Sequence, residues 1–188
     1  MQSYSFLKYL AALMWVSCSA MAGDSVRHKD KDTGLLSWQQ LGSGFSMRLI
    51  QLLPDYVTAV YGARGLPPAI VEIMAGYCVF GTIVRNESQH PVSYRVADWR
   101  YITDDGKEHP IKTKTDWINE WQDMGVAFRW SILPDKQNLE PGDWNQGFTT
   151  VLIPPGSTFD LIYTWRYHGE KREAIFEGLN CAPEKLPG

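Results

Sequence analysis

The chain has 188 residues, 18 basic and 21 acidic, for a net charge of −3, with 44% hydrophobic residues. That is enough for one well-buried domain, and nothing in the mildly acidic balance suggests nucleic acid, whose recognition usually needs a clustered basic face. Only three cysteines are present, too few for a disulfide-dense scaffold or a four-cysteine zinc site.

The N-terminus reads as a cleavable export signal. Lys8 supplies the positive region, Tyr9 to Val16 the uncharged apolar run, and Ala20-Met21-Ala22 the small residues before a cut after Ala22. The run is far short of the about 20 residues that span a bilayer, and no later segment is long and uncharged enough to do so. A lipid-modified Cys18 is the competing reading, but Trp15-Val16-Ser17 lacks the leucine such signals carry three positions ahead. Removal of residues 1–22 takes away one charge, Lys8, and one cysteine. Residues 23–44 are polar and Gly-containing, and predict a loosely docked arm whose mixed-charge stretch Arg27 to Asp32 is solvated.

Residues 45–182 form the predicted domain, with 183–188 as a tail. Ser46 can cap a helix in which Leu49, Ile50, Leu53, Val57, Val60 and Tyr61 recur at spacings of three and four. Pro54 would kink or restart that helix, and Gly65 and Pro67-Pro68 would end it. A second short helix is predicted over Pro68 to Ala75. After Gly76 the period becomes two. Strands are predicted at Tyr77 to Arg85, Val92 to Tyr101, His109 to Lys114, Val126 to Leu133, Gly147 to Ile153, Thr158 to Tyr167 and Arg172 to Glu177. Asp116 would cap an inserted helix, Trp117 to Met124. Turns rich in Gly, Pro and Asp separate these segments, including Asp105-Gly106.

Seven short strands at even spacing give a mainly β fold, an antiparallel sandwich with an N-terminal helical segment and one short inserted helix. The strand count resembles the immunoglobulin-like superfold. The antibody signature is missing, since Trp99 follows Cys78 by only 21 residues and Leu179 stands where a tyrosine would precede the second cysteine. That resemblance carries no function with it.

Cys78 in the first predicted strand of this series and Cys181 after the last are expected to form a disulfide in an oxidising compartment. It would close a loop of about 100 residues, worth up to roughly 4 to 5 kcal/mol on the chain-entropy model.

Catalytic motifs are missing from the sequence. Gly42-Ser43-Gly44 lacks the nucleophile-elbow spacing and reads as a hinge. Asp104 and Asp105 are adjacent turn residues rather than carboxylates facing across a cleft. The chain has no phosphate loop and no dinucleotide fingerprint. Cys181 is followed by neither His nor Met, which excludes the usual blue-copper set. His28, His90, His109 and His168 are scattered in predicted loops, with His90 and His168 the weak metal candidates. Asn86-Glu87-Ser88 matches a glycosylation sequon.

The aromatic residues are more suggestive. Trp117 and Trp121, four apart on a helix and flanked by Glu120, either present an indole pair to a partner or pack down on the sandwich. Trp144 in its loop is the indole expected to be exposed, whereas Trp99, Trp130 and Trp165 are expected in the core. The leading expectation is therefore a non-enzymatic exported domain without a cofactor, periplasmic or secreted. It would bind another envelope or secreted protein, as an assembly factor, inhibitor or immunity protein does, through Trp117, Trp121, Glu120 and Trp144. Carbohydrate stacking on the same indoles is the second expectation, and a copper carrier built from scattered histidines the third.

Overall fold

The computed structural model describes residues 25–128 and 131–186; the expected export signal, with Cys18, and Trp130 lie outside them. The described chain is mainly β, with two antiparallel sheets. In the first sheet, β1 (Val26–Lys29), β2 (Leu36–Gly42), β3 (Phe45–Leu52) and β4 (Cys78–Asn86) form a meander, and β9 (Trp144–Val151) adds to the far side of β4. The second sheet is built on β10 (Thr158–Tyr167). One edge of β10 pairs with β11 (Glu170–Asn180). Its other edge pairs with β5 (Val92–Arg95) and β6 (Arg100–Thr103), which lie end to end and are separated by a 3-10 turn at Val96–Asp98. Beyond them lie β8 (Lys136–Leu139) on β5 and β7 (Glu108–Pro110) on β6. A meander of four consecutive strands is not the strand order of antibody domains, which interleave their sheets through Greek-key connections.

Three segments depart from the sequence expectation, each for an identifiable reason. Ser46 to Leu52 is strand β3 and not a helix; its apolar residues fit both periods because the strand is covered on both faces. Phe45, Met47 and Leu49 face the second sheet, while Leu52 lies under the helices. The helix α1 begins only at Pro54 and runs to Ala63, with the proline in the first turn, where its missing N–H costs nothing. Leu36 to Gly42, expected in a loose arm, is β2: Trp38 is buried, and Gln40 accepts a 3.0 Å hydrogen bond from the Tyr163 hydroxyl across the core. Of the polar residues of this strand, Ser37 and Gln40 are buried and Gln39 is exposed. Ser43-Gly44 is accordingly the two-residue turn of the β2–β3 hairpin, closed by the Gly42–Phe45 pair, and not a hinge, with both residues at positive φ. The third departure is Val126 to Leu133, expected as a strand; its described residues make only an isolated bridge, Ile132 to Phe148.

The helices form a third layer. α1, α2 (Pro68–Ala75) and α3 (Lys114–Asp123) cover the outer face of the first sheet, enclosing Val57, Tyr61, Ile70, Met74, Val79, Trp117 and Trp121. The cap of α3 is Thr113 rather than Asp116: Thr113 Oγ1 accepts from the Asp116 N–H, and the Asp116 carboxylate accepts from the Thr113 N–H at 2.9 Å. Asp135 accepts from the N–H groups of Lys114 and Thr115 at the same helix start, which fastens α3 to the approach to β8.

The Cys78–Cys181 disulfide joins the first residue of β4 to the residue after β11, with Cα atoms 5.4 Å apart. It therefore cross-links the two sheets inside their shared core. Replacing both cysteines by alanine should lower the unfolding free energy by about 2 to 5 kcal/mol; in urea unfolding, a loss under about 1 kcal/mol would show that the sheets hold each other without it. The burial of the indoles gives a second test. Trp121→Ala should cost about 3 to 5 kcal/mol, whereas Trp144→Ala should stay within about 0.5 kcal/mol. Equal effects in the same denaturation series would contradict the placement of the two side chains.

Candidate functional site

Of the four side chains expected at a contact surface, the structure removes two and leaves one plainly available. Trp117 and Trp121 are 0% and 1% exposed, stacked with ring centroids 5.7 Å apart against the outer face of the first sheet. The Trp117 indole donates to Thr150 Oγ1 at 3.0 Å. Edge contacts from Tyr77 to Trp117, and from Tyr61 and Phe128 to Trp121, complete the packing. The pair is thus the core of the helical layer, and its assignment as a binding face is corrected: an i, i+4 spacing cannot distinguish a buried stripe from a presented one. Glu120 is ion-paired to Lys112, whose ammonium lies 3.5 Å from the Trp117 ring centroid. This pair roofs the indole rather than reaching for a ligand. Trp99 and Trp165 lie in the inter-sheet core.

Trp144 is 53% exposed at the start of β9, opposite Arg85 on β4. It belongs to one end of the sandwich, where four connections meet: the Ser43-Gly44 turn, the loop 87–91, the loop 140–143 and the His168-Gly169 turn. Asn86 organises this end. Its side chain is fully buried and donates to the carbonyls of His90 at 2.8 Å and Leu139 at 2.9 Å, while its oxygen accepts from the Ser88 N–H at 2.9 Å. A glycan cannot be attached to an amide that is enclosed and engaged in this way, so the sequon is structural. Gly44 admits the closeness of the loops, since a Cβ there would lie 2.3 Å from that of Ser88.

A concave surface that no feature of the sequence pointed to lies on the outer face of the second sheet next to this end. A cleft of about 700 Å³ is lined by Ser93 and Arg95 of β5, Lys136 and Asn138 of β8, Arg166 of β10 and Lys171 of β11. The register explains the grouping. Lys171 pairs with Arg166, Arg166 with Ser93 and Ser93 with Asn138, forming one row across four strands. The break between β5 and β6 raises Asp98 as a wall, where it holds Arg95 through two-pronged bonds of 2.9 to 3.2 Å. This carboxylate raises the arginine's pKa further, through that hydrogen bonding first and its charge second. Arg166 donates to the Gly169 carbonyl at 3.1 Å. Tyr94 and Trp165 contribute to the cleft lining, but their rings pack with Phe45 in the core, which leaves a polar surface above them.

Four cations with one acid make the cleft net positive in a chain that is net negative. Its chemistry is recognition of anions by hydrogen bonds and charge. Alternating outward positions on four separate strands carry these residues, so no linear motif or charge run announced them.

The two weak metal candidates are brought together. His90 and His168, both exposed, have ring centroids 4.3 Å apart. His109 is elsewhere, stacked on Tyr101, and His28 lies on β1. Among the described residues no group of three or more His, Cys, Asp or Glu is arranged to hold a metal, and no helix is long and apolar enough to cross a membrane.

No protein-family model matches the chain, and no curated protein matches it. Among solved structures it is similar to a candidate lipoprotein of Bacillus subtilis, with 8% identity and a TM-score of 0.38. The similarity takes in 76% of this chain but only 36% of that one, so the two share at most a rough arrangement of strands.

Proposed function

We propose that the protein is an exported, non-enzymatic binding domain that engages an acidic surface of another envelope or secreted protein through the cleft of Arg95, Lys136, Arg166 and Lys171. The observation that carries this reading is the gathering of those four cations on one concave face of an otherwise acidic chain. Such an arrangement steers a partner of opposite charge and fixes its orientation. Trp144, exposed on the first sheet opposite Arg85, faces away from the cleft and offers a separate apolar contact point. The two-sheet body acts as the scaffold, in the manner of immunoglobulin-like domains, and the loops and one sheet face do the binding. Export is supported by the N-terminal pattern ending at Ala22 and by a disulfide, which persists in oxidising compartments. Assembly factors, inhibitors and immunity proteins are binders of this kind.

The exposed Trp144 also favours a second reading, stacking on a sugar ring. A titration with oligosaccharides that quenches tryptophan fluorescence in the wild type but not in Trp144→Phe would support that reading over the first.

The main test is charge reversal. Arg166→Glu with Lys171→Glu should weaken capture of the partner from envelope extract by on the order of tenfold, and rising salt should weaken the wild-type complex in the same direction. A partner, identified by mass spectrometry, that binds the doubly reversed protein as tightly as the wild type would overturn the assignment of the cleft.

A further inference from the structure

The imidazoles of His90 and His168 come from loops far apart in the chain, yet their ring centroids stand 4.3 Å apart at an interplanar angle of 55°. Two imidazoles on adjacent positions of one metal ion, with metal–nitrogen bonds of about 2.0 to 2.1 Å, have ring centroids about 4.5 to 5 Å apart. The observed spacing is slightly shorter than that geometry requires.

Both backbones are held in place. His90 is fixed through its carbonyl, which accepts from Asn86 Nδ2 at 2.8 Å and lies 2.7 Å from Ser88 Oγ; its N–H donates to the same hydroxyl at 3.2 Å. His168 occupies the first position of the two-residue turn between β10 and β11, with φ of 53°, followed by Gly169 at 76°. Turns of this kind favour Asn, Asp or Gly at that position, and histidine is among the residues that adopt the left-handed conformation more readily than most. The hydrogen bond that braces the turn, from Arg166 to the Gly169 carbonyl, makes no use of the imidazole. Tyr167, whose ring centroid lies 4.2 Å from that of His168 and 6.3 Å from that of His90, backs the pair on one side. The histidines themselves remain open to solvent.

We propose that His90 and His168 form a two-imidazole site for a late divalent transition-metal ion, with Cu(II) held most tightly and water completing the coordination. Imidazole suits copper, nickel and zinc, and affinity at a given nitrogen site peaks at Cu(II). With no third His, Cys, Asp or Glu grouped with them among the described residues, the site is open-sided, suited to an exchangeable ion rather than a structural one. It is independent of the proposed protein contact.

The test uses tag-free mature protein with its disulfide intact, titrated with Cu(II) and separately with Zn(II) by calorimetry, with electron paramagnetic resonance on the copper form. His168→Asn suits the turn and should fold; His90→Gln keeps the loop backbone. The wild type should take up one Cu(II) per chain with two nitrogen donors, more tightly than Zn(II). Each substitution should weaken uptake by about tenfold or more and reduce the nitrogen count to one. An absence of stoichiometric Cu(II) uptake, or uptake that survives either substitution unchanged, would overturn the site.

Discussion

The two-sided burial of β4 is the constraint on which the rest of the molecule depends. Cys78, Phe80 and Val84 face the second sheet, while Val79 lies under the helices. A strand with apolar groups on both faces must be covered twice, which requires a second sheet on one side and a helical layer on the other. The disulfide starts at its first residue and the hydrogen-bond network of the loop end starts at its last, Asn86. Cross-link, layers and loop end are thus all referred to one strand.

This constraint also explains what could be read from the sequence and what could not. β10 was legible to the residue, and the body of β4 nearly so, because alternation and flanking turn residues agree there. β3 was not: doubly covered, it carries apolar residues at positions that satisfy a helical period equally well. β2 failed in the opposite way. Its Ser37, Gln39 and Gln40 look solvated, yet Ser37 and Gln40 are buried, and Gln40 accepts a hydrogen bond in the core from Tyr163, far along the chain. The alternation of Val126 to Leu133 suggested a ladder that tertiary structure replaces with a single bridge.

The candidate site was less legible than the fold, for a physical reason. Trp144 was readable because a loop after Pro-Gly-Asp has little to pack against. The Trp117–Trp121 pair showed the right adjacency with the wrong orientation, since helical spacing says which side chains share a face but not what that face meets. The basic cleft is a cross-strand property: its cations come from four different strands, and only the register makes them neighbours. The contact between His90 and His168 belongs to the same class, set by which loops share an end of the sandwich.

One detail at the edge of the first sheet bears on how the molecule can associate. The segment 131–133 crosses so close to β9 that a Cβ on Gly147 would lie 2.4 Å from the Leu133 nitrogen, and Phe148 uses both its N–H and its carbonyl on Ser131 and Leu133. The middle of this outer strand is therefore already occupied by the protein's own backbone. At the opposite margins, β1 presents Arg27, His28 and Lys29, and β11 begins Glu-Lys-Arg-Glu. Charged borders of this sort resist sheet-to-sheet stacking of chains. Strand addition at these borders is thereby disfavoured.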